Sequence, residues 1–134
     1  MALTGQSIKR KEDPRFITGK GRYTDDLVLP NQCYAYFVRS SLAHAEIRDI
    51  KIGGLESQPG VRRILTGKDY SESGLGSLMC GWMIHSKDGS EMKSGLHPPL
   101  VLERARYVGD PIAVVIADTK EIARTIAESV EIEY

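Results

Sequence analysis

The stretch "ARYVGDPIAVVIAD", residues 105–118, decides the fold. Its second half, residues 112–117, is an apolar and mostly β-branched run that does not alternate with polar residues. A strand without a polar face is covered on both sides, as in the middle of a layered domain. The turn Gly109-Asp110-Pro111 separates this run from a short strand that ends near Val108. The sequence therefore predicts residues 112–117 as the central strand.

A helix and a last strand are predicted after the central strand. Asp118 and Glu121 have the spacing of a capping box, so the helix is expected to begin at Asp118. Glu121 is placed to pair with Arg124 on the exposed side. The apolar side repeats at helical spacing: Ile122, Ala123, Ile126, Ala127 and Val130. The final "VEIEY" alternates, which predicts a half-buried strand, and because the chain stops inside it we expect a piece of a longer subunit.

Three more strands are predicted before the central one. Residues 33–41 are rich in aromatic and β-branched residues. Residues 45–53 alternate, with a slip of the period between Ile47 and Ile50 that indicates one irregularity within a single strand. Residues 61–67 form a short third run, followed by a possible helical turn.

Two segments lack this periodicity. Residues 1–32 are polar and rich in turn-forming residues, which predicts an extended N-terminal arm with little regular structure, ahead of one domain over residues 33–134. Residues 71–99 are glycine-rich, and a loop of this length is typical of functional or disordered segments. Within it, Lys87-Asp88-Gly89-Ser90 favours a tight hairpin turn with short strands on either side.

Charge and cysteine content narrow the class of protein. Lys plus Arg and Asp plus Glu both number 18, so the basic excess typical of nucleic-acid binding is absent. Cys33 and Cys80 lie far apart, which does not indicate a disulfide framework and fits a reducing compartment. No segment has the pattern of a signal peptide or a membrane span. We therefore expect a cytoplasmic protein.

Candidate chemical motifs are few, and each has a plainer interpretation. His44, His85 and His97 show no ligand spacing, and the adjacent Asp25 and Asp26 favour a polar turn over shared acid–base work. "TGKG" (18–21), "TGKD" (66–69) and "GLGSLM" (74–79) lack the full pattern of a phosphate or dinucleotide loop and are interpreted as turns. No catalytic, cofactor-binding or metal-ligating residue is assigned.

The stretches above do resemble a known family. "SIKRKEDPRFITGKGRYTDDLVLP", "YFVRSSLAHAEI", "PGVRRILTG", "ARYVGDPIAVVIAD" and "AESVEIEY" occur in this order. Together they resemble the N-terminal domain of the large subunit of molybdenum hydroxylases. This family includes aerobic carbon monoxide dehydrogenases, aldehyde oxidases and xanthine dehydrogenases. The arm "KRKEDPRFITGKGRYTDD" is most similar to the bacterial branch that resembles carbon monoxide dehydrogenase.

The resemblance implies an α/β hammerhead fold, in the α+β class, with a mixed sheet and the C-terminal amphipathic helix packed on it. It also implies a parent oxidoreductase that works at a molybdenum bound to a pterin cofactor and passes electrons through iron–sulfur clusters to a flavin. In this family the cofactor contacts and the base glutamate lie after the hammerhead domain, so no site residue is carried over.

These implications lead to one main expectation and one alternative. The chain alone is expected to be inactive and free of cofactor. It is expected to serve as a structural domain that packs on the rest of the large subunit and on its iron–sulfur and flavin partners. Self-association of the chain through the N-terminal arm or the strand near residues 130–134 is a further expectation. The alternative is an independent binding module that uses the loop 71–99.

Overall fold

The structure is a computed structural model that describes Gly5 and residues 7–134. The chain forms two compact units, Met1–Gln32 and Cys33–Tyr134. The helices are α1 (Asp13–Ile17), α2 (Gly67–Glu72) and α3 (Lys120–Glu128), with one 3₁₀ turn at Thr24–Asp26. The strands are β1 (Tyr34–Arg39), β2 (Ala45–Glu46), β3 (Asp49–Lys51), β4 (Val61–Thr66), β5 (Arg104–Ala105), β6 (Pro111–Ala117) and β7 (Glu131–Glu133).

The predicted central strand is confirmed. β6 lies in the middle of a three-stranded sheet of order β1-β6-β4 and is antiparallel to both neighbours. Ala113, Val115 and Ala117 are fully buried on the face that carries α3. On the opposite face Ile112 is fully buried but Val114 and Ile116 are half-buried, so the predicted cover on that side is only partial.

The helix α3 forms as predicted but begins one residue later. Thr119 is the N-cap, and its hydroxyl accepts a hydrogen bond from the Ile122 N–H at 3.2 Å. The expected cap, Asp118, instead forms an ion pair with Arg62 of the neighbouring strand β4, with 2.5 Å between the Arg62 Nε and the Asp118 Oδ1. The expected pair of Glu121 with Arg124 is also replaced, since Arg124 bonds Glu128 at 2.7 Å one turn further along. The Asp118 side chain is thus directed to β4, and the Thr119 hydroxyl caps the helix in its place.

The predicted single strand over residues 45–53 is wrong. It forms two short strands that belong to different sheets, with β2 paired to β5 and β3 paired to β7. The change occurs between two adjacent residues: the Ile47 N–H donates to the Glu103 carbonyl at 2.8 Å, and the Arg48 N–H donates to the Glu133 carbonyl at 2.7 Å. The slip in the sequence pattern is therefore a change of partner.

The α+β class and the packed C-terminal helix are confirmed, while the sheet differs from expectation. Every strand pair within the described residues is antiparallel, where the resemblance led us to expect a mixed sheet. The strand expected to end near Val108 ends at Ala105, because residues 106–110 form a turn around the buried Asp110 carboxylate, which accepts the Arg106 N–H at 2.9 Å. The last strand, β7, forms as predicted and is half-buried at its centre.

The N-terminal unit contains more regular structure than predicted. Pro14 lies in the first turn of α1, where its missing N–H costs nothing. Gly19, with a φ of 69°, ends this helix by donating its N–H to the Phe16 carbonyl. "TGKG" is thus a helix end, which agrees with its interpretation as a turn. Residues 1–4 and 6 of the predicted arm lie outside the described residues.

The position of Val115 gives a direct test of the core. Val115→Asp places an unpaired charge under α3, and we expect loss of cooperative thermal unfolding. Val115→Thr adds only a hydroxyl, and we expect it to lower the free energy of unfolding by about 1–3 kcal/mol. The matched change Val114→Thr, on the half-buried face, should lower it by less than half as much in urea titrations. Equal losses at the two positions would show that α3 does not cover one face selectively.

Candidate docking surface

The loop predicted over residues 71–99 contains a projection, residues 75–97, which we call the finger. Its two arms are tied together at the root. The Leu78 N–H donates to the His97 carbonyl at 2.9 Å, and the His97 N–H donates to the Ser77 hydroxyl at 2.5 Å. The Tyr70 hydroxyl of α2 donates to the Gly76 carbonyl where the finger begins. One hydrogen bond therefore joins the finger to α2, and two others join its own arms.

The far end of the finger is the predicted hairpin turn. The Ser86 N–H donates to the Ser90 carbonyl at 2.9 Å, and Gly89 supplies the left-handed residue with a φ of 81°. The Asp88 carboxylate accepts the Ser90 hydroxyl and N–H at 2.7 and 3.0 Å, and these hydrogen bonds lower the pKa of Asp88. The short strands expected on either side reduce to one isolated bridge, His85 to Glu91.

The finger carries large apolar side chains that remain exposed. Met79 is 93% exposed and Trp82 is 78% exposed. The others are Leu75, Leu78, Met83, Ile84 and Leu96. A cavity of about 590 Å³ opens among several of these side chains. Contiguous apolar surface of this kind, rich in Met and Trp, is typical of contacts between proteins or domains.

The strand β4 and the helix α2 position the root of the finger. The Asp69 carboxylate accepts the Thr66 N–H at 2.8 Å and the Thr66 hydroxyl at 2.6 Å, so "TGKD" is the beginning of a helix. These two hydrogen bonds lower the pKa of Asp69. Between them lies Gly67, where a Cβ atom would meet the Val101 carbonyl oxygen at 2.0 Å. Only glycine allows the chain to pass this closely beneath residue 101.

The structure does not gather the chemically reactive side chains that the sequence offered. His85 and His97 lie in the finger, whereas His44 lies in the bend before β2. The Cys80 thiol is exposed and donates to the Trp82 carbonyl at 3.1 Å. Within residues 7–134 and Gly5, no three His, Cys, Asp or Glu side chains form a group that could hold a metal ion.

The carboxylate pair considered in the sequence, Asp25 and Asp26, lies in a 3₁₀ turn of the N-terminal unit. Asp26 accepts the Tyr23 N–H at 2.8 Å within the 3₁₀ turn, in agreement with the predicted polar turn at Asp25 and Asp26. Burial and the nearby Asp110 carboxylate raise the pKa of Tyr107, beside the turn before β6.

No helix in the described part of the chain combines the length and apolar character needed to cross a membrane.

The sequence analysis found the loop but missed its apolar surface. The signal was present, because "LMCGWMI" (78–84) is an apolar run that follows no helical or strand period. Without periodicity the run could not be assigned to a core or to a surface, and only the fold shows that its side chains point away from the core.

Comparison with known proteins identifies the domain. The sequence profile of the "aldehyde oxidase and xanthine dehydrogenase, a/b hammerhead domain" matches residues 18–134. The chain belongs to this family, and the fold class implied by the resemblance is confirmed.

Three relatives illustrate the match. The chain is 35% identical over 133 residues to the 6-hydroxypseudooxynicotine dehydrogenase complex subunit gamma of Paenarthrobacter nicotinovorans, covering 99% of this chain and 16% of the relative. It is 34% identical to the carbon monoxide dehydrogenase large chain of Hydrogenophaga pseudoflava, covering 100% and 16%. A crystal structure of a Cu,Mo-CO dehydrogenase superposes with a TM-score of 0.72 and 33% identity, covering 97% and 15%. The chain thus spans less than a fifth of each relative.

The lowered pKa of Asp69 predicts how the α2 anchor depends on pH. Because the folded pKa lies below the unfolded value of 3.8, the stabilisation is present above that value and is lost as the pH falls through the folded pKa. We expect acid unfolding of the wild type to be steeper below about pH 4 than that of Asp69→Asn. Thr66→Val, which removes one donor, should give an intermediate slope, and Thr66→Ser should restore the wild-type slope. Identical slopes in all four proteins would contradict this assignment.

Proposed function

We propose that this chain is the hammerhead part of a molybdenum-hydroxylase large subunit and that it serves as a structural and assembly domain without a catalytic site of its own. The finger is the observation that carries the proposal. Its hydrogen-bonded root and hairpin end hold Met79 and Trp82 in exposed positions that cost solvation free energy unless another surface covers them. The natural cover is the rest of a large subunit, because the relatives are much longer chains.

The half-buried face of β6 supports the same role. Val114 lies opposite Phe37 of β1 and Leu65 of β4, which forms an apolar row across the open side of the sheet. Phe37 is 43% exposed, although its neighbours in the row are apolar. A second packed layer on this face would complete the burial that the run of residues 112–117 indicates.

The residues present do not fit a molybdenum-pterin cofactor, and we place the cofactor in the part of the enzyme outside this domain. Such a cofactor carries phosphate and ring heteroatoms that need several convergent donors in an enclosed cavity. The cavity of the finger is lined by Leu78, Met79, Met83 and Leu96 together with Ser77, Cys80, Ser94, Gly95 and His97, and among the described residues no lysine or arginine lines it to bind a phosphate.

In this proposal the parent enzyme is a molybdenum-dependent oxidoreductase. Its partners are iron–sulfur and flavin subunits, and it lies in the cytoplasm. Two relatives are named for different compounds, one for a nicotine derivative and one for carbon monoxide. Each nevertheless matches this chain over nearly its whole length. A domain that is shared by enzymes with such different substrates supports assembly better than substrate choice.

Elemental and optical analysis tests the absence of a cofactor. We expect the purified chain to be colourless, with molybdenum, iron and flavin all far below one equivalent per chain. The same measurement after incubation with excess molybdate or flavin should give the same result. A stoichiometric metal or flavin content would contradict the proposal.

A chimera tests the assembly role. Residues 1–134 would replace the matched segment of the Hydrogenophaga pseudoflava large chain, and we expect the chimera to bind the other subunits and keep carbon monoxide dehydrogenase activity. The double variant Met79→Ser, Trp82→Ser should reduce assembly at least tenfold, while Val108→Ser, an exposed apolar residue outside the finger, should not. A chimera that assembles but has lost turnover would show a catalytic role in this domain, and equal loss with both variants would exclude the finger as the contact.

A further inference from the structure

The three-stranded sheet has two edges of opposite character. The β4 edge carries the exposed Arg62 and Arg63, and its register with β6 shifts between Val61 and Arg63. Charged side chains on an edge hinder pairing with another strand. β1, in contrast, reads Tyr-Ala-Tyr-Phe-Val before its last residue, Arg39, and has neither charge nor proline in that run. Its own register with β6 also shifts, between Val38 and Arg39, so the two edges of this sheet differ in charge and not in regularity.

The hydrogen bonds fix which backbone groups of β1 point outward. The Ser40 N–H donates to the Asp110 carbonyl at 2.9 Å, and the Ser40 carbonyl accepts the Gly109 N–H at 2.8 Å, so Ser40 faces inward. The register shift between Val38 and Arg39 places its extra residue, Ile112, on β6, so the backbone groups of β1 keep alternating in direction and those of Ala35, Phe37 and Arg39 face away from β6. Among the described residues the sheet ends at β1, so no third strand receives these groups there.

A groove of about 690 Å³ runs beside this edge. Its apolar lining comes from Val38 of β1, Ala127 of α3, and Val130 and Ile132 at the chain end. A strand added to β1 would place every second side chain in this groove and the others over the open face beside Phe37. The groove therefore supplies the side-chain contacts that backbone pairing alone would lack.

We propose that β1 pairs with β1 of a second copy of this chain, antiparallel and related by a two-fold axis at Phe37. In this register Phe37 lies opposite its own copy, and Ala35 of each chain lies opposite Arg39 of the other. No like charges face each other, so the edge is complementary to itself. The edge at β4 is protected, so the assembly stops at two copies.

The pairing is expected to be weak. Six residues extend about 20 Å, and contact along one such strand falls short of the roughly 1,200 Å² of a standard stable interface. The dimer therefore dissociates on dilution. This inference does not rest on the proposed function, and the two fail in different measurements.

Sedimentation equilibrium or light scattering of the full chain over the micromolar to millimolar range tests the pairing. We expect the mass to rise from one chain to two. Ala35→Lys, which faces Arg39 of the second copy, should lower the association constant at least tenfold, and Ala35→Glu should raise it. Arg63→Glu on the β4 edge is the matched control and should change it less than twofold, with circular dichroism melts verifying that each variant is folded.

Three results would overturn the proposal. One is a single-chain mass throughout the range, which would assign the edge to another occupant. Another is an equal response to Ala35→Lys and Ala35→Glu, which would place the contact elsewhere. The third is growth beyond two copies, which would show that the β4 edge is not protected.

Discussion

The antiparallel ladders on both sides of β6 are the constraint on which the rest of the domain depends. β1 and β4 are joined only through this strand. Both ends of β6 also bond to neighbouring loops. The Pro111 carbonyl accepts the N–H of Val101, which follows the finger, at 2.7 Å, and the N–H of Asp118, which precedes α3, donates to the Gly60 carbonyl at 2.8 Å. A strand in this position has its backbone groups engaged on both sides, so displacing it would detach the helix, both edges and the root of the finger.

Burial on the two faces of that strand is unequal, and this inequality bears on the proposed role. Ala113 and Val115 are buried beneath α3, whereas on the other face Ile112 is buried but Val114 and Ile116 are only half-buried. The finger adds a second apolar surface on the same unit. A domain that completes one face of its core and leaves the other partly open is suited to be covered by further protein, and the family to which it belongs occurs in much longer chains.

Four acidic side chains stabilise local structure within the described residues. Asp69 holds the beginning of α2, Asp88 holds the hairpin end, Asp110 organises the turn before β6, and Asp118 pairs with Arg62 across the sheet. Each of these four carboxylates accepts hydrogen bonds from nearby donors, and these hydrogen bonds hold turns, a helix end and neighbouring strands in place. This use of acidic residues agrees with a domain that positions other surfaces.

The sequence by itself determined the elements whose signals are local. The central strand, the apolar side of α3, the hairpin turn at Asp88 and Gly89 and the alternation of β7 each depend on residues within one short window, where periodicity and turn chemistry act directly. The tertiary structure decided what depends on distant partners. Asp118 pairs with Arg62 and does not cap α3, and residues 47 and 48 bond to two different sheets. The apolar side chains of the finger point outward. Packing and pairing between segments far apart in sequence set these three outcomes.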